Sequence, residues 1–192
     1  MPYGERCFDC GAISSGARTC ARCRVGAPRH VWVSANYESA ASELVKIYKF
    51  RQLRAAADSI ASVMEQTFTR YRDESAEDYM VVPVPTASSR IRHRGFDHGD
   101  YLAMKIARRL GLKKMKVLAR IGQSRQVGAE RSVRLAQLSG QHAVRYPELI
   151  KGRNILLIDD VVTTGATLRA TAKALRAAGS ARVDALVFAK KI

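Results

Sequence analysis

Apolar residues along this chain fall into two kinds of spacing. HVWVSANY (30–37), MVVPVP (80–85), ILLI (155–158) and the stretch from Arg182 to Phe188 are short runs rich in β-branched or aromatic residues, the composition of buried strands. Elsewhere apolar positions recur at steps of three and four. Leu44, Ile47 and Tyr48 share one helical face; Ile60, Val63, Met64 and Phe68 mark a helix over 55–71; Leu102, Ile106 and Leu110 mark another from about 100 to 110. A last helix is expected from Thr167 to Ala178, closed by Gly179. Strands alternating with helices predict an α/β fold: a mostly parallel sheet flanked by helices on both faces. TASSRIRHRGF (86–96) reads as a polar, basic loop behind the proline-stopped strand. RIGQSRQVGAERSVR (120–134) has little periodicity and reads as a long loop.

Composition changes this picture little. With 192 residues, 47% hydrophobic and 26% charged, the chain holds one main α/β core with room for a small appendage, and global disorder is excluded. No apolar run reaches the roughly 18–20 residues that cross a bilayer. The N-terminus lacks a basic-then-apolar leader, so a cytoplasmic protein that is not integral to the membrane is expected. Charge changes more: the net value of +16 favours polyanions, whether nucleic acid, phosphorylated metabolites or an anionic membrane face.

All four cysteines lie near the start, as CFDC (Cys7, Cys10) and CARC (Cys20, Cys23). Two-residue gaps let both sulfurs of a knuckle reach one ion at about 2.3 Å, and the second knuckle completes a tetrahedron. Paired disulfides are the competing reading, but nothing suggests export. Four thiolates leave no open coordination position, so the expected Zn2+ is structural and supplies folding energy to a small module over 1–28. Residues 29–192 form the main domain.

The strand ILLI ends in Asp159 and Asp160, where ligands of parallel sheets sit. Two carboxylates there suit vicinal hydroxyls, since buried acids need partners. Thr163, Thr164, Gly165, Ala166 and Thr167 then turn into a helix whose first N–H groups can hold a phosphate dianion. Acids for a sugar and donors for its phosphate, a few residues apart, describe a ribose 5-phosphate group. The chain contains neither GxxxxGK[ST] nor GxGxxG, the partner motifs of nucleotide triphosphatases and dinucleotide binders.

ILLIDDVVTTGAT resembles the signature of type I phosphoribosyltransferases, whose ligand is 5-phosphoribosyl 1-pyrophosphate (PRPP) with Mg2+. The paired CxxC knuckles, YKF, VPVP followed by RHRGF, and a Gln- and Arg-rich loop, in that order, resemble the ComF family of competence proteins over nearly the whole chain. The resemblance implies that Asp159 and Asp160 act as the catalytic acids on the ribose hydroxyls. Val161 and Thr163–Thr167 complete the PRPP site, Arg90, Arg94 and Lys49 face pyrophosphate, and Gln123 and Arg131 belong to a closing loop. Asp97 and His98 stand where the family has an amide pair, and Arg134 where asparagine is usual.

The same resemblance implies action in DNA uptake during natural transformation. Single-stranded DNA and competence proteins at the inner membrane, a helicase or channel, are the implied partners, with peripheral membrane association. Between Arg90 and Arg131 stand 12 basic and 3 acidic residues, interleaved with Phe96 and Tyr101, a composition suited to phosphate neutralisation and base stacking. Whether the chain is an active phosphoribosyltransferase on some acceptor or a non-catalytic PRPP-responsive scaffold stays open at this stage. With little sequence after Phe188 to read a base, an acceptor pocket would need help from the zinc module.

Overall fold

The computed structural model describes residues 5–50, 55–72, 78–120 and 142–191. Five strands form a parallel sheet in the order β1-β7-β6-β2-β3: β1 (Val31–Asn36), β7 (Arg182–Lys190), β6 (Asn154–Val162), β2 (Tyr79–Pro83) and β3 (Lys113–Lys114). A small antiparallel pair, β4 (Leu118–Arg120) and β5 (His142–Val144), stands apart.

The central strand shows why its sequence is continuously apolar. Ile155, Leu156, Leu157 and Ile158 are all fully buried, because a parallel strand covered on both faces has no wet side. Leu156 and Ile158 enter one core with Met64, Phe68, Leu102 and Ile106. These come from α2 (Ala55–Tyr71) and α4 (His98–Leu110), with α1 (Ser39–Phe50) on the same layer. Ile155 and Leu157 point the other way, onto Leu168 and Leu175 of α5 (Ala166–Ala177) and onto Phe8 and Ala27 of the N-terminal segment. The cysteine-rich segment therefore shares with α5 the task of covering one sheet face. It is also stitched to the sheet by backbone, with Arg29 N–H donating to the Val183 carbonyl at 2.8 Å.

Several expected elements shift. The basic stretch expected as a loop carries a seven-residue helix, α3 (Ser88–Arg94), stopped by Gly95 in the left-handed region at φ 77°. Its charged residues give no apolar periodicity to signal it. Pairing with β7 continues to Val162 opposite Lys190, so Asp159 and Asp160 lie inside β6 rather than beyond it. On the other side, pairing with β2 stops at Pro83 opposite Ile158, with proline ending the ladder. From Asp159 onward β6 has a strand neighbour only toward β7. Since β2 proceeds through α4 on one face and β6 through α5 on the other, this gap is where the chain's crossovers diverge, the usual seat of a ligand in such sheets.

Candidate functional site

Alternation along β6 sends its two aspartates to opposite faces. Asp159 opens into a cleft lined also by Val161 through Leu168. Asp160 turns toward the helix layer, where Lys49 in the last turn of α1 places its ammonium 2.8 Å from the carboxylate. The neighbouring Tyr48 fixes the end of α1: its ring is fully buried and its hydroxyl donates to the His98 carbonyl at 2.7 Å. The two acids remain linked through the backbone, since the Asp160 N–H donates to Asp159 Oδ1 at 2.9 Å.

This arrangement shapes protonation. Burial, then the adjacent negative charge of Asp160, pushes the Asp159 carboxyl up to about 7, with Lys49 opposing. Near neutrality Asp159 is therefore poised between neutral acid and carboxylate, a state that hydroxyl donors or a cation would shift toward the anion.

Thr163, Thr164, Ala166 and Thr167 are exposed and Gly165 is buried. Gly165 takes φ 72°, a left-handed turn that feeds the chain into α5. The Thr164 hydroxyl accepts from Ala166 N–H at 3.4 Å. The positive end of this 12-residue helix borders the cleft and suits an anion.

The remaining expected residues divide. Arg90 sits exposed on α3, directly after β2; Arg94 ends that helix. Gln123 and Arg131, and with them Arg134, lie outside the described residues. Asp97 caps α4 by accepting from Asp100 N–H at 3.3 Å. Burial would raise its carboxyl, but Lys116 at 2.6 Å holds it below the usual range. Phe96 stacks on His98 with ring centroids 4.0 Å apart and meets Tyr101 edge-on. Phe96 and Tyr101 are half-buried, each with part of its ring packed against the core.

At the N-terminus the sulfurs of Cys7, Cys10, Cys20 and Cys23 all lie within 4.8 Å of one another. Cys10 and Cys20 sulfurs are 3.6 Å apart, close to the roughly 3.8 Å edge of a tetrahedron with 2.3 Å metal–sulfur bonds. The Ala12 N–H and the neighbouring thiols draw Cys10 down to about 7, so a thiolate is accessible at neutral pH. Geometry and donor chemistry both fit Zn2+.

Three residues at this site went unanticipated. Phe8 packs its ring against Gly165, Arg169 of α5 pairs with Asp9, and Lys190 at the end of β7 donates to the Phe8 carbonyl. An apolar residue between knuckle cysteines was the available signal for Phe8; the two cations carry none in sequence.

The phosphoribosyl transferase domain family matches residues 97–192. Competence protein ComFC of Bacillus subtilis (strain 168) is 29% identical over 187 residues, covering 93% of this chain and 74% of that protein. DNA utilization protein YhgH of Salmonella typhimurium is 29% identical over 185 residues, covering 93% and 81%. Among solved structures, the glutamine phosphoribosylpyrophosphate amidotransferase from B. subtilis complexed with ADP and GMP aligns with TM-score 0.48 at 18% identity, over 70% of this chain and 26% of that one. Among the described residues no helix is long and apolar enough to cross a membrane.

Proposed function

Because the chain belongs to the phosphoribosyl transferase family and is ComF-like over 93% of its length, we propose that it binds PRPP with Mg2+ and acts in DNA uptake. The observation that carries this reading is one cleft lined by both an acid and a helix-entry donor loop, Asp159 with Thr163–Thr167. In it the 5′-phosphate accepts from the backbone N–H groups and hydroxyls of the loop. Asp159 and Asp160 accept hydrogen bonds from the ribose hydroxyls. Lys49, already beside Asp160, keeps the acid pair from repelling the anionic ligand and is within reach of the pyrophosphate side, with Arg90 and Arg94 following β2. Mg2+ bound with the pyrophosphate would supply charge neutralisation there. The residues themselves position and stabilise charge, which is what transfer from C1′ requires of a protein.

Calorimetric titration of PRPP with magnesium into the zinc-loaded protein tests this, with Asp159→Asn/Asp160→Asn as control. Saturable binding lost in the double variant is expected; absent binding to the wild type overturns the reading. Pyrophosphate release in the presence of candidate acceptors then separates an active transferase from a PRPP-responsive scaffold.

Single-stranded DNA is the second partner proposed, in the cytoplasm or at the inner membrane face. Of the basic residues between Arg90 and Arg120, Lys105, Arg109, Lys114 and Lys116 are engaged by Asp58, Glu65, Asp100 and Asp97. Arg90, Arg92, Arg108, Lys113 and Arg120 are exposed. Contact through this surface would rest chiefly on phosphate neutralisation, with the half-buried Phe96 and Tyr101 beside it.

A further inference from the structure

Of the five loop residues Thr163–Thr167, Gly165 alone is buried, and the cysteine knuckle is what covers it. A Cβ placed on Gly165 would stand 2.6 Å from Phe8 Cε2 and 3.3 Å from Cζ. Phe8 is 1% exposed and shares a core with Val162 and Leu168, the residues flanking the loop on either side. Three further ties hold the knuckles there. Arg169, on α5 four residues past Gly165, pairs with Asp9 in the first knuckle and donates to the Cys23 carbonyl in the second at 3.2 Å. Its guanidinium lies over the Phe8 ring, 5.8 Å from the centroid. Lys190 holds the Phe8 carbonyl from the end of β7.

We propose that the first cysteine knuckle is the back wall of the phosphate loop, with Phe8 as its positioning residue, so that zinc occupancy sets the loop's affinity for phosphate. The inference rests on the reading of Thr163–Thr167 as a phosphate site. Phe8 and Asp9 lie between ligands Cys7 and Cys10, so their backbone is fixed by the metal; the segment has too few apolar residues to hold that shape alone. Without zinc the ring loses its seat on Gly165, and the loop loses the side chain that backs it there. Its N–H groups must then be ordered by the ligand itself, which lowers affinity. Metal loss would thus weaken the ligand site from behind, through the packing of Phe8 on Gly165.

Ribose 5-phosphate, which needs no magnesium, is the probe. Calorimetry on zinc-loaded protein, on protein stripped by chelation under reducing conditions, and on reloaded protein should show at least a tenfold fall in affinity on stripping, restored by zinc. Phe8→Ala, with one zinc retained per chain, should weaken binding about fivefold, and Phe8→Leu should recover most of it. Reciprocity requires that saturating ribose 5-phosphate raise zinc affinity by the same factor as zinc raises ribose 5-phosphate affinity, read by equilibrium competition with a chromogenic chelator. If stripping unfolds the chain by circular dichroism, the Phe8 variants and the reciprocal competition decide. Equal ribose 5-phosphate affinity in Phe8→Ala and wild type, with zinc affinity unmoved by ligand, overturns the coupling and leaves the PRPP reading standing. Failure of zinc-loaded wild type to bind removes the phosphate-site reading, and the coupling falls with it.

Discussion

The Lys49 ammonium stands 2.8 Å from the Asp160 carboxylate, with only 19% and 13% of the two side chains exposed. An ion pair so shielded from water is screened little by salt, and it is the positive charge that balances two adjacent acids. Lys49→Met would leave Asp160 unbalanced beside Asp159, whose carboxyl already stands at about 7. Asp159 would then hold its proton to higher pH, because the cation that opposes its upward shift is gone. The expected result is PRPP affinity reduced about tenfold at neutral pH, a change of roughly 1.4 kcal/mol, and partly recovered toward pH 9. Titration calorimetry across pH 6–9 checks it; a pH-independent loss would mean that Lys49 acts on the pyrophosphate alone.

Asp159 gives a stability prediction with a defined sign. Its carboxyl is raised from 3.8 to about 7, by burial first and Asp160 second. A raised carboxyl contributes stability that is fully present below the ordinary value and is lost as pH climbs through the folded one. Asp159→Asn removes that loss. The variant should therefore match the wild type near pH 4 and become increasingly more stable than it as pH rises to about 7, by up to about 4 kcal/mol, with no further divergence above that. Thermal melts of both proteins in the same buffers decide; a difference that is flat with pH would contradict the poised acid.

At the opposite end of the sheet, Asp184 is fully buried and accepts from Tyr79 Oη, His30 N–H at 2.8 Å and Arg182 Nε at 2.6 Å. Burial alone would raise this carboxyl, but those donors hold it below the usual range. Its contribution is present above the ordinary carboxylate value and lost as pH falls below it. Tyr79→Phe removes one donor to a buried anion, expected to cost about 1.5–3 kcal/mol. Because Tyr79 begins β2 while the cleft lies past its end, PRPP affinity should not move. Denaturant unfolding beside calorimetry separates the two readouts.

How much of this was legible depended on the range of each signal. β6 announced itself because a doubly covered strand must be continuously apolar, and the cysteines because tetrahedral coordination imposes a two-residue gap. Asp159 and Asp160 stood out as two acids directly after an apolar run, and the strand extends past them to Val162. Lys49 was flagged, but its partner Asp160 could not be, since the pairing depends on how α1 is docked by Tyr48. Phe8 against Gly165 joins residues from the two ends of the chain, and no local pattern encodes it. α3 was missed because basic residues mask its periodicity, and β4 and β5 because three residues are too few to show alternation.

The arginines of α3 give a prediction for DNA. Arg90 lies exposed on α3 and Arg94 ends the same helix. If single-stranded DNA binds here through phosphates, log affinity should fall linearly with log salt, and each lost phosphate contact should flatten the slope by about 0.7. Arg90→Ala/Arg94→Ala should flatten it by about 1.4. Fluorescence anisotropy with an oligothymidine over a salt series reads the slope directly. A slope unchanged by the double substitution would move the DNA surface elsewhere.

Gly165 carries two independent demands, and they can be separated. Its φ of 72° strains any residue with a Cβ, and Phe8 Cε2 would lie 2.6 Å from that atom. The backbone term for alanine is about 1 kcal/mol, and overpacking adds about 1–3 kcal/mol. Gly165→Ala should therefore destabilise by roughly 2–4 kcal/mol, and Phe8→Ala separately by about 3–5 kcal/mol through the cavity it leaves. Combined, the two should cost less than their sum, because the truncated ring no longer meets the new methyl while the backbone strain persists. A double-mutant cycle by urea unfolding, with zinc content matched, should give a favourable interaction energy of about 1–3 kcal/mol. Strict additivity would mean that the ring does not rest on the loop in solution.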